Sequence, residues 1–240
     1  MADSLRVENM FSVAGTNVLV TGGGSGIGKN TDVRSVQGDV STKNGAEEVI
    51  RKVKEAVPAL DTVINCAGIS IPFKRPSDNL DDRPYFMTVS AIPLLRKSDN
   101  PNVVVISSVA GLANQRANGS FTYGVSKAGA VHLSSMLAGR LHPLKIRVNC
   151  ICPGIFPSEM TATTGADGAV ALGRMGTKAV MRSTLGRPGK PEEIAAPILL
   201  LASKGGMYMN DTCINVDGGR WLVMKGIYDG LRLPDESYIN

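Results

Sequence analysis

Three side chains in the middle of the chain have the chemistry for proton transfer to a substrate oxygen. Tyr123 and Lys127 are four positions apart in YGVSK, which places them on one face of a helix. A tyrosine phenol has a reference pKa of about 10, so it exchanges protons well at neutral pH only where a cation such as Lys127 stabilises the phenolate. Ser108 ends the apolar run VVVISS and can hydrogen-bond a carbonyl or alkoxide oxygen. The three indicate proton transfer coupled to hydride transfer with a nicotinamide; the alternative is a surface Tyr–Lys pair and serines that only end a strand.

A glycine-rich turn near the start of the chain has the composition of a phosphate-binding loop. The segment TGGGSGIG, residues 21–28, directly follows the strand-like run NVLV. Its glycines allow a tight turn and let backbone N–H groups approach a pyrophosphate at a helix N-terminus. An ordinary flexible loop is the alternative, and the preceding strand makes that alternative weaker.

The elements that must position these residues alternate along the chain. Runs rich in β-branched residues and bounded by turn residues predict strands at TNVLVTG, VRSVQGDV, DTVINCAG, NVVVISS, KIRVNCICPG and DTCINVDGG. Apolar residues at helical spacing predict helices at KNGAEEVIRKVKEAV, YGVSKAGAVHLSSMLAGRL and KPEEIAAPILLLAS. The pattern predicts an α/β fold, a doubly wound parallel sheet of Rossmann type whose ligands bind beyond the carboxyl ends of the strands.

Composition limits the class of protein. The 240 residues are 43% hydrophobic and 20% charged, which favours one domain over residues 1–240. We expect a cytoplasmic protein without a membrane partner, because no apolar run is long enough to cross a bilayer. The net charge of +5 comes from scattered residues, which we expect at the solvated surface. Aromatic residues do not interleave with the basic ones, so we expect no nucleic-acid partner.

The four cysteines lie in apolar runs, which is typical of buried thiols and not of a disulfide framework. Cys150 and Cys152 form a CxC pair that could suggest a metal site. The chain has only two histidines, however, and no second ligand pair is visible in the sequence. We therefore expect no metal.

Together the motifs resemble those of the short-chain dehydrogenase/reductase family, from about Asn17 to Gly219. TGGGSGIG resembles its cofactor turn, NCAG (65–68) its NNAG motif, and ISS with YGVSK its Ser, Tyr and Lys. The resemblance implies catalysis by Ser108, Tyr123 and Lys127. It implies nicotinamide dinucleotide contacts from Gly22, Ser25, Gly26, Ile27, Gly28, Asp39, Val40, Asn65, Ala67, Gly68, Tyr123, Lys127, Pro153, Gly154, Ile155 and Ser158.

Family analogy also assigns individual roles to some of these residues. Asp39 would bond the adenine, Val40 would flank it, and Lys127 would also hold the nicotinamide ribose. Ser158 stands where the family often has a Thr bonded to the carboxamide. Structural roles are the alternatives: a turn cap for Asp39, a backbone tie for Asn65 and a helix N-cap for Ser158.

Two departures from the family pattern shorten the chain. Only four residues separate Gly28 from Val33, where the family has a helix, a second strand and a further helix. This predicts either a break near 29–32 or a continuous loop whose pyrophosphate cradle lacks its helix. Between Asp82 and Tyr85 the chain enters a late portion of the family's fourth helix. No residue there aligns with the Asn that anchors a proton-relay water, and Asn79 belongs to the preceding loop.

The leading hypothesis is an NAD(P)-dependent oxidoreductase that acts on a secondary alcohol or a ketone. The cofactor is NADP or NAD, with Lys29 and the net charge favouring NADP. The alternatives are a catalytically impaired nucleotide-binding paralogue and a truncated isoform. Residues 162–178 are interpreted as either a lid or a plain surface loop. A homo-oligomer is expected through the fourth and fifth helices, the latter carrying apolar Val131, Leu133 and Leu137.

Overall fold

A computed structural model describes residues 5–24, 34–68, 82–112, 121–158, 161–164, 170–181 and 183–224. The strands in this part of the chain are β1 (Val18–Thr21), β2 (Thr62–Asn65), β3 (Asn102–Ile106), β4 (Arg147–Pro153), β5 (Ala162–Thr164), β6 (Val170–Leu172) and β7 (Cys213–Val216). Five of them form one parallel sheet in the order β1-β2-β3-β4-β7, and β5 and β6 form a separate two-stranded antiparallel sheet.

The described chain contains the three helices predicted from apolar spacing and four others. They are α1 (Val7–Met10), α2 (Lys43–Ala56), α3 (Arg83–Leu95), α4 (Phe121–Leu141), α5 (Arg174–Val180), α6 (Pro191–Ala202) and α7 (Arg220–Met224), with 3₁₀ turns at Val109–Gly111, His142–Leu144 and Lys204–Gly206. Of the described helices, none is long and apolar enough to cross a membrane.

Apolar residues on both faces of the central strands explain the doubly wound arrangement. Every residue of β3 and β4 is buried. One face packs against apolar residues of α2, α3 and α4, and the other face packs against α6 through Ile194 and Leu201. The predicted α/β fold is confirmed by this parallel sheet with helices on both faces. Helices are needed on both faces because both faces of the sheet are apolar.

The predicted strand at VRSVQGDV is wrong for its described part. Residues 34–39 have no strand structure, and β1 pairs with β2 alone among the described residues. Val36 and Val40 instead pack against the core. A Cβ on Gly38 would lie 2.2 Å from a Val49 methyl, which shows how closely this segment approaches α2. Alternating apolar residues therefore indicate which side chains face the core. A strand also requires a neighbouring strand to which its backbone can hydrogen-bond.

Two further predictions meet the structure only in part. Residues 162–178 form the β5-β6 hairpin and the start of α5, with residues 165–169 outside the described chain, so the choice between lid and surface loop stays open. The predicted break or helix-free link near 29–32, and Asn79, also lie outside the described residues.

Arg147 contradicts the expectation that the basic residues lie at the solvated surface. Arg147 is the first residue of β4, and its side chain is buried. The guanidinium donates to the carbonyl oxygens of Gly206, Leu201 and Met209 at 2.8, 3.0 and 3.2 Å. It also donates to Asn100 Oδ1 at 3.1 Å. Burial lowers the pKa of Arg147. These bonds join β4 to the segment after α6, because a buried guanidinium needs acceptors for its donors.

Candidate active site

The carboxyl ends of β1, β2 and β3 lie side by side, which brings the predicted site residues to one edge of the sheet. Thr21 is in register with Asn65, and Asn65 with Val105. The Thr21 hydroxyl oxygen accepts hydrogen bonds from the N–H groups of Cys66 and Ala67, both at 3.1 Å. The turn after β1 and the loop after β2 are therefore held together by one buried side chain.

Gly22 cannot be replaced by a larger residue without moving this loop. Its φ is +74°, a conformation that favours glycine, and a Cβ there would lie 2.8 Å from Ala67 Cα. On the other side of the loop, a Cβ on Gly68 would lie 3.7 Å from Lys127 Nζ. The backbone at 66–68 thus runs between the glycine turn and the lysine.

We predict that Thr21→Val weakens both the fold and cofactor binding. Valine keeps the shape of threonine but leaves the N–H groups of Cys66 and Ala67 without their acceptor, at a cost of about 1–3 kcal/mol. The measurement is the free energy of unfolding in urea, together with the cofactor Kd. Thr16→Val removes a hydroxyl that bonds Val13 O at an exposed position and serves as the control. Equal unfolding free energies for the two variants would contradict the prediction.

Ser108 lies where β3 gives way to a 3₁₀ turn. Its extended backbone makes it the N-cap, and its hydroxyl oxygen accepts from Ala110 N–H at 3.1 Å. That bond uses an acceptor lone pair and leaves the hydroxyl proton for a second partner. The side chain is half-buried, so it is fixed and still reachable.

Lys127 is held at the centre of this edge. The side chain is 7% exposed, its Nζ donates to Ile106 O at 3.1 Å, and Nζ lies 5.8 Å from the centroid of the Tyr123 ring. Half-buried Tyr123 and the buried ammonium are thus neighbours on α4, as the i, i+4 spacing predicted. The Cys66 thiol lies close enough for the ammonium to act on it: burial raises the pKa of Cys66 and the charge of Lys127 partly opposes that rise.

Two contacts that the sequence did not predict dock α4 at this residue. Ser107 Oγ donates to the carbonyl oxygen of Lys127 at 2.7 Å. A Cβ on Gly111 would lie 2.5 Å from the carbonyl carbon of Lys127, so the 3₁₀ turn touches the backbone of α4. The only signal in the sequence was the first serine of ISS, Ser107, and a glycine after it, neither of which specifies a partner.

Three of the predicted cofactor residues make structural contacts in the described chain. Asp39 Oδ1 accepts from Ser41 N–H at 2.9 Å, and hydrogen bonding to Ser41 lowers the pKa of this exposed carboxyl. Asn65 is buried and donates from Nδ2 to Thr88 Oγ1 at 3.1 Å. The Ser158 hydroxyl lies 3.2 Å from that of Thr161. The Asp39 bond fits the turn cap left open for that residue, whereas the Asn65 bond reaches the side-chain hydroxyl of Thr88 on α3 and not the backbone.

The remaining predicted residues divide into two groups. Val40 packs partly against the core, Pro153 ends β4, and Gly154 N–H donates to Val216 O at 2.9 Å, which sets Ile155 at the start of the following loop. Ser25, Gly26, Ile27 and Gly28 lie outside the described residues.

A cavity beside this edge is lined by none of the three residues predicted to be catalytic. Its volume is about 360 Å³, and it lies between the loop after β4, the segment before α6 and the end of β7. Ile155, Phe156, Leu185, Arg187 and Asp217 are among its lining residues, whereas Ser108, Tyr123 and Lys127 are not. The three predicted side chains therefore lie outside this cavity.

Comparison with known proteins identifies the family of this chain. Residues 23–220 match the family described as enoyl-(acyl carrier protein) reductase. A rhamnolipid-biosynthesis 3-oxoacyl-[acyl-carrier-protein] reductase of Pseudomonas aeruginosa is 32% identical over 255 residues, covering 87% of this chain and 97% of that protein. The chain belongs to the short-chain dehydrogenase/reductase family. Membership makes it a nicotinamide-dependent oxidoreductase.

Two further relatives extend the comparison. The short-chain dehydrogenase/reductase PhomF of Diaporthe leptostromiformis is 27% identical and covers 94% of this chain and 98% of its own length. A solved structure, the Pseudomonas aeruginosa RhlG/NADP active-site complex, is 30% identical to this chain, with a TM-score of 0.77 over 88% of this chain and 98% of that one.

The alignment also shows that the Pseudomonas aeruginosa relative has residues that this chain lacks. It extends over 255 positions, more than the 240 residues of the chain, although it includes 87% of the chain. The relative therefore carries residues that have no counterpart here. That difference agrees with the shortened segments in the sequence and with a sheet in which β1 has one neighbour among the described residues.

Proposed function

We propose that this protein is an NADP(H)-dependent reductase of a ketone, or in reverse a dehydrogenase of the corresponding secondary alcohol. The observation that carries the proposal is the buried ammonium of Lys127 beside the Tyr123 ring, at the sheet edge where Ser108 ends β3. A buried cation next to a phenol favours proton exchange at that phenol.

Each of the three side chains has a distinct task. Ser108 donates a hydrogen bond from its hydroxyl group to the substrate oxygen and so orients the carbonyl. Tyr123 gives its phenolic proton to that oxygen during reduction and takes it back during alcohol oxidation. Lys127 stabilises the phenolate that remains, and its bond to Ile106 O fixes the ammonium in place. A bound nicotinamide supplies or accepts the hydride.

The residues at this edge fit a dinucleotide. Gly22 and the loop through Ala67 and Gly68 present backbone without bulky side chains between the end of β1 and Lys127. NADP is supported by the NADP complex of the Pseudomonas aeruginosa relative and by the net charge of +5, which attracts an additional phosphate.

The substrate group is a carbonyl in this proposal and not a carbon–carbon double bond. The matching family is described as enoyl reductase, whereas the Pseudomonas aeruginosa relative at 32% identity is named a 3-oxoacyl reductase. Ser108 and Tyr123 are hydroxyl donors, and a keto oxygen accepts hydrogen bonds directly at the reacting group. In an enoyl thioester the reacting carbons carry no acceptor, and the nearest acceptor is the oxygen of the conjugated thioester carbonyl.

A second candidate is a nucleotide-binding relative with impaired catalysis. It is favoured by the residues missing from the alignment and by the single neighbour of β1 in the described sheet. A shortened nucleotide-binding half has fewer N–H donors for the pyrophosphate, so it would bind the cofactor weakly.

The test measures turnover and binding side by side. Acetoacetyl and crotonyl thioesters are each offered with NADPH and NADH, oxidation is followed by nicotinamide absorbance, and the melting temperature is measured with each cofactor. We expect turnover of the keto substrate with NADPH. A melting shift without turnover of any carbonyl would favour the second candidate. Failure of both cofactors to shift the melting temperature or support turnover would reject both.

We also propose that the protein is a homo-oligomer that associates through α3 and α4. Leu137 is buried, and Val131 and Leu133 pack partly against the core, so these three residues leave little apolar surface for association. Exposed apolar side chains elsewhere on these helices support the proposal: Tyr85, Val89, Val125 and Met136. Sedimentation at micromolar concentration tests the proposal by comparing the wild type with Met136→Glu. A wild-type protein that sediments as a monomer, with Met136→Glu sedimenting in the same way, would contradict it.

A further inference from the structure

Three cysteine sulfurs meet on the face of the sheet that α4 covers. Cys150 and Cys152 are alternate residues of β4, so their side chains lie on the same face. Cys213 begins β7 and is the register partner of Cys150. Cys152 Sγ lies 3.5 Å from Cys213 Sγ and 3.9 Å from Cys150 Sγ, and all three sulfurs lie within 4.8 Å of one another.

These separations match those of sulfurs around one metal ion. A Zn–S bond is about 2.3 Å, which in tetrahedral geometry places two sulfurs about 3.8 Å apart. The two measured contacts lie on either side of that value. A disulfide requires sulfurs about 2 Å apart and would use two of the three. The convergence of all three is the feature that a metal ion explains.

The cysteine cluster is covered by apolar side chains on one side and exposed to solvent on the other. Cys150 and Cys152 are buried with Val109, and Leu112 and Val131 pack against them. Cys213, at the edge of the sheet, is exposed. An ion can therefore enter at Cys213 and keep a water molecule as its fourth ligand, while apolar side chains shield the two inner sulfurs.

We propose that Cys150, Cys152 and Cys213 form a three-thiolate site for a thiophilic divalent ion of the Zn²⁺ and Cd²⁺ class. Sulfur donors alone select soft ions over Mg²⁺ or Ca²⁺. As each metal–sulfur bond forms, the corresponding S–H releases its proton to solvent. The sequence expectation of no metal rested on the absence of a second ligand pair, whereas the register of β4 and β7 supplies a third cysteine.

The test uses the full chain, reduced and freed of metal, titrated anaerobically with Cd²⁺. Binding is followed by the ultraviolet cadmium–thiolate absorption and by competition with a chromophoric chelator, first for Cd²⁺ and then for Zn²⁺. We expect one ion per chain. Loss of an outer partner of a metal ligand costs about 10- to 100-fold in affinity, so loss of a ligand itself should weaken binding by about 100-fold or more.

Cysteine variants decide whether the cluster is the site. Cys213→Ser changes an exposed residue and Cys152→Ala a buried one, and each should lose affinity. Cys66→Ala removes the cysteine outside the cluster and should bind like the wild type. Wild-type protein that binds no Cd²⁺ at micromolar concentration would overturn the proposal, as would equal binding by wild type and Cys213→Ser. Loss of binding in Cys66→Ala would also overturn it. None of these readouts depends on turnover, so they are independent of the proposed reductase activity.

Discussion

Tyr123→Phe should reduce the turnover of a keto substrate by about 1,000-fold while the protein remains folded, because general acid catalysis contributes about 10²- to 10⁴-fold. The substitution removes one oxygen and leaves the ring beside Lys127. Ser108 still reaches the substrate, so the KM should change much less than kcat. Nicotinamide absorbance under saturating cofactor measures the effect.

The matched control is Tyr208→Phe, which removes the same oxygen from a fully exposed tyrosine far from Lys127 in sequence. It should retain wild-type turnover. Melting temperatures with and without cofactor separate a loss of chemistry from a loss of binding, since Tyr123→Phe should keep the cofactor-induced shift. Comparable kcat in the wild type and Tyr123→Phe would remove tyrosine from the proposed mechanism.

The relation between Tyr123 and Lys127 was predictable from the sequence because it is local. Residues four positions apart on a helix share a face, so YGVSK already implied that the phenol and the ammonium are neighbours. Ser108 was predictable in part, since it ends an apolar strand at the edge where ligands bind. The contact between Ser107 and the Lys127 carbonyl oxygen was not, because it depends on how α4 docks against β3.

Two other features show where sequence patterns fall short. The alternation in VRSVQGDV predicted a strand, but Val36 and Val40 pack against the core without strand structure. Apolar spacing identifies the side that faces the core, and it does not supply a hydrogen-bonding neighbour. The cysteine cluster depends on the register between β4 and β7, which aligns Cys150 with Cys213 across a long stretch of chain. Sequence spacing within β4 alone could predict only the CxC pair.

Because Lys127 is buried beside Tyr123, its substitution should also have a large effect on turnover. Lys127→Met keeps the length of the side chain and removes the ammonium, so kcat/KM should fall by about 100-fold or more, as for the loss of one preorganised charge-stabilising donor. The cofactor Kd should rise as well, because the ammonium is proposed to hold the ribose. In the direction of alcohol oxidation, the pH at which the rate reaches its plateau should move upward, since the phenolate loses its neighbouring cation.

A structural role for the lysine predicts a different pattern of results, which a second variant can separate. Lys127 Nζ donates to Ile106 O at 3.1 Å, and Lys52 Nζ donates to Gln37 O at the same distance on the exposed face of α2. Lys52→Met therefore removes a comparable bond to a backbone carbonyl without touching the reaction centre. If Lys127 only secures α4 to β3, Lys127→Met should lower the free energy of unfolding and leave the pH dependence of kcat and the cofactor Kd of the folded protein unchanged. If the ammonium acts on Tyr123 and on the ribose, both quantities should change in Lys127→Met and neither should change in Lys52→Met, because the effect then comes from charge at the reacting atoms and not from a lost hydrogen bond.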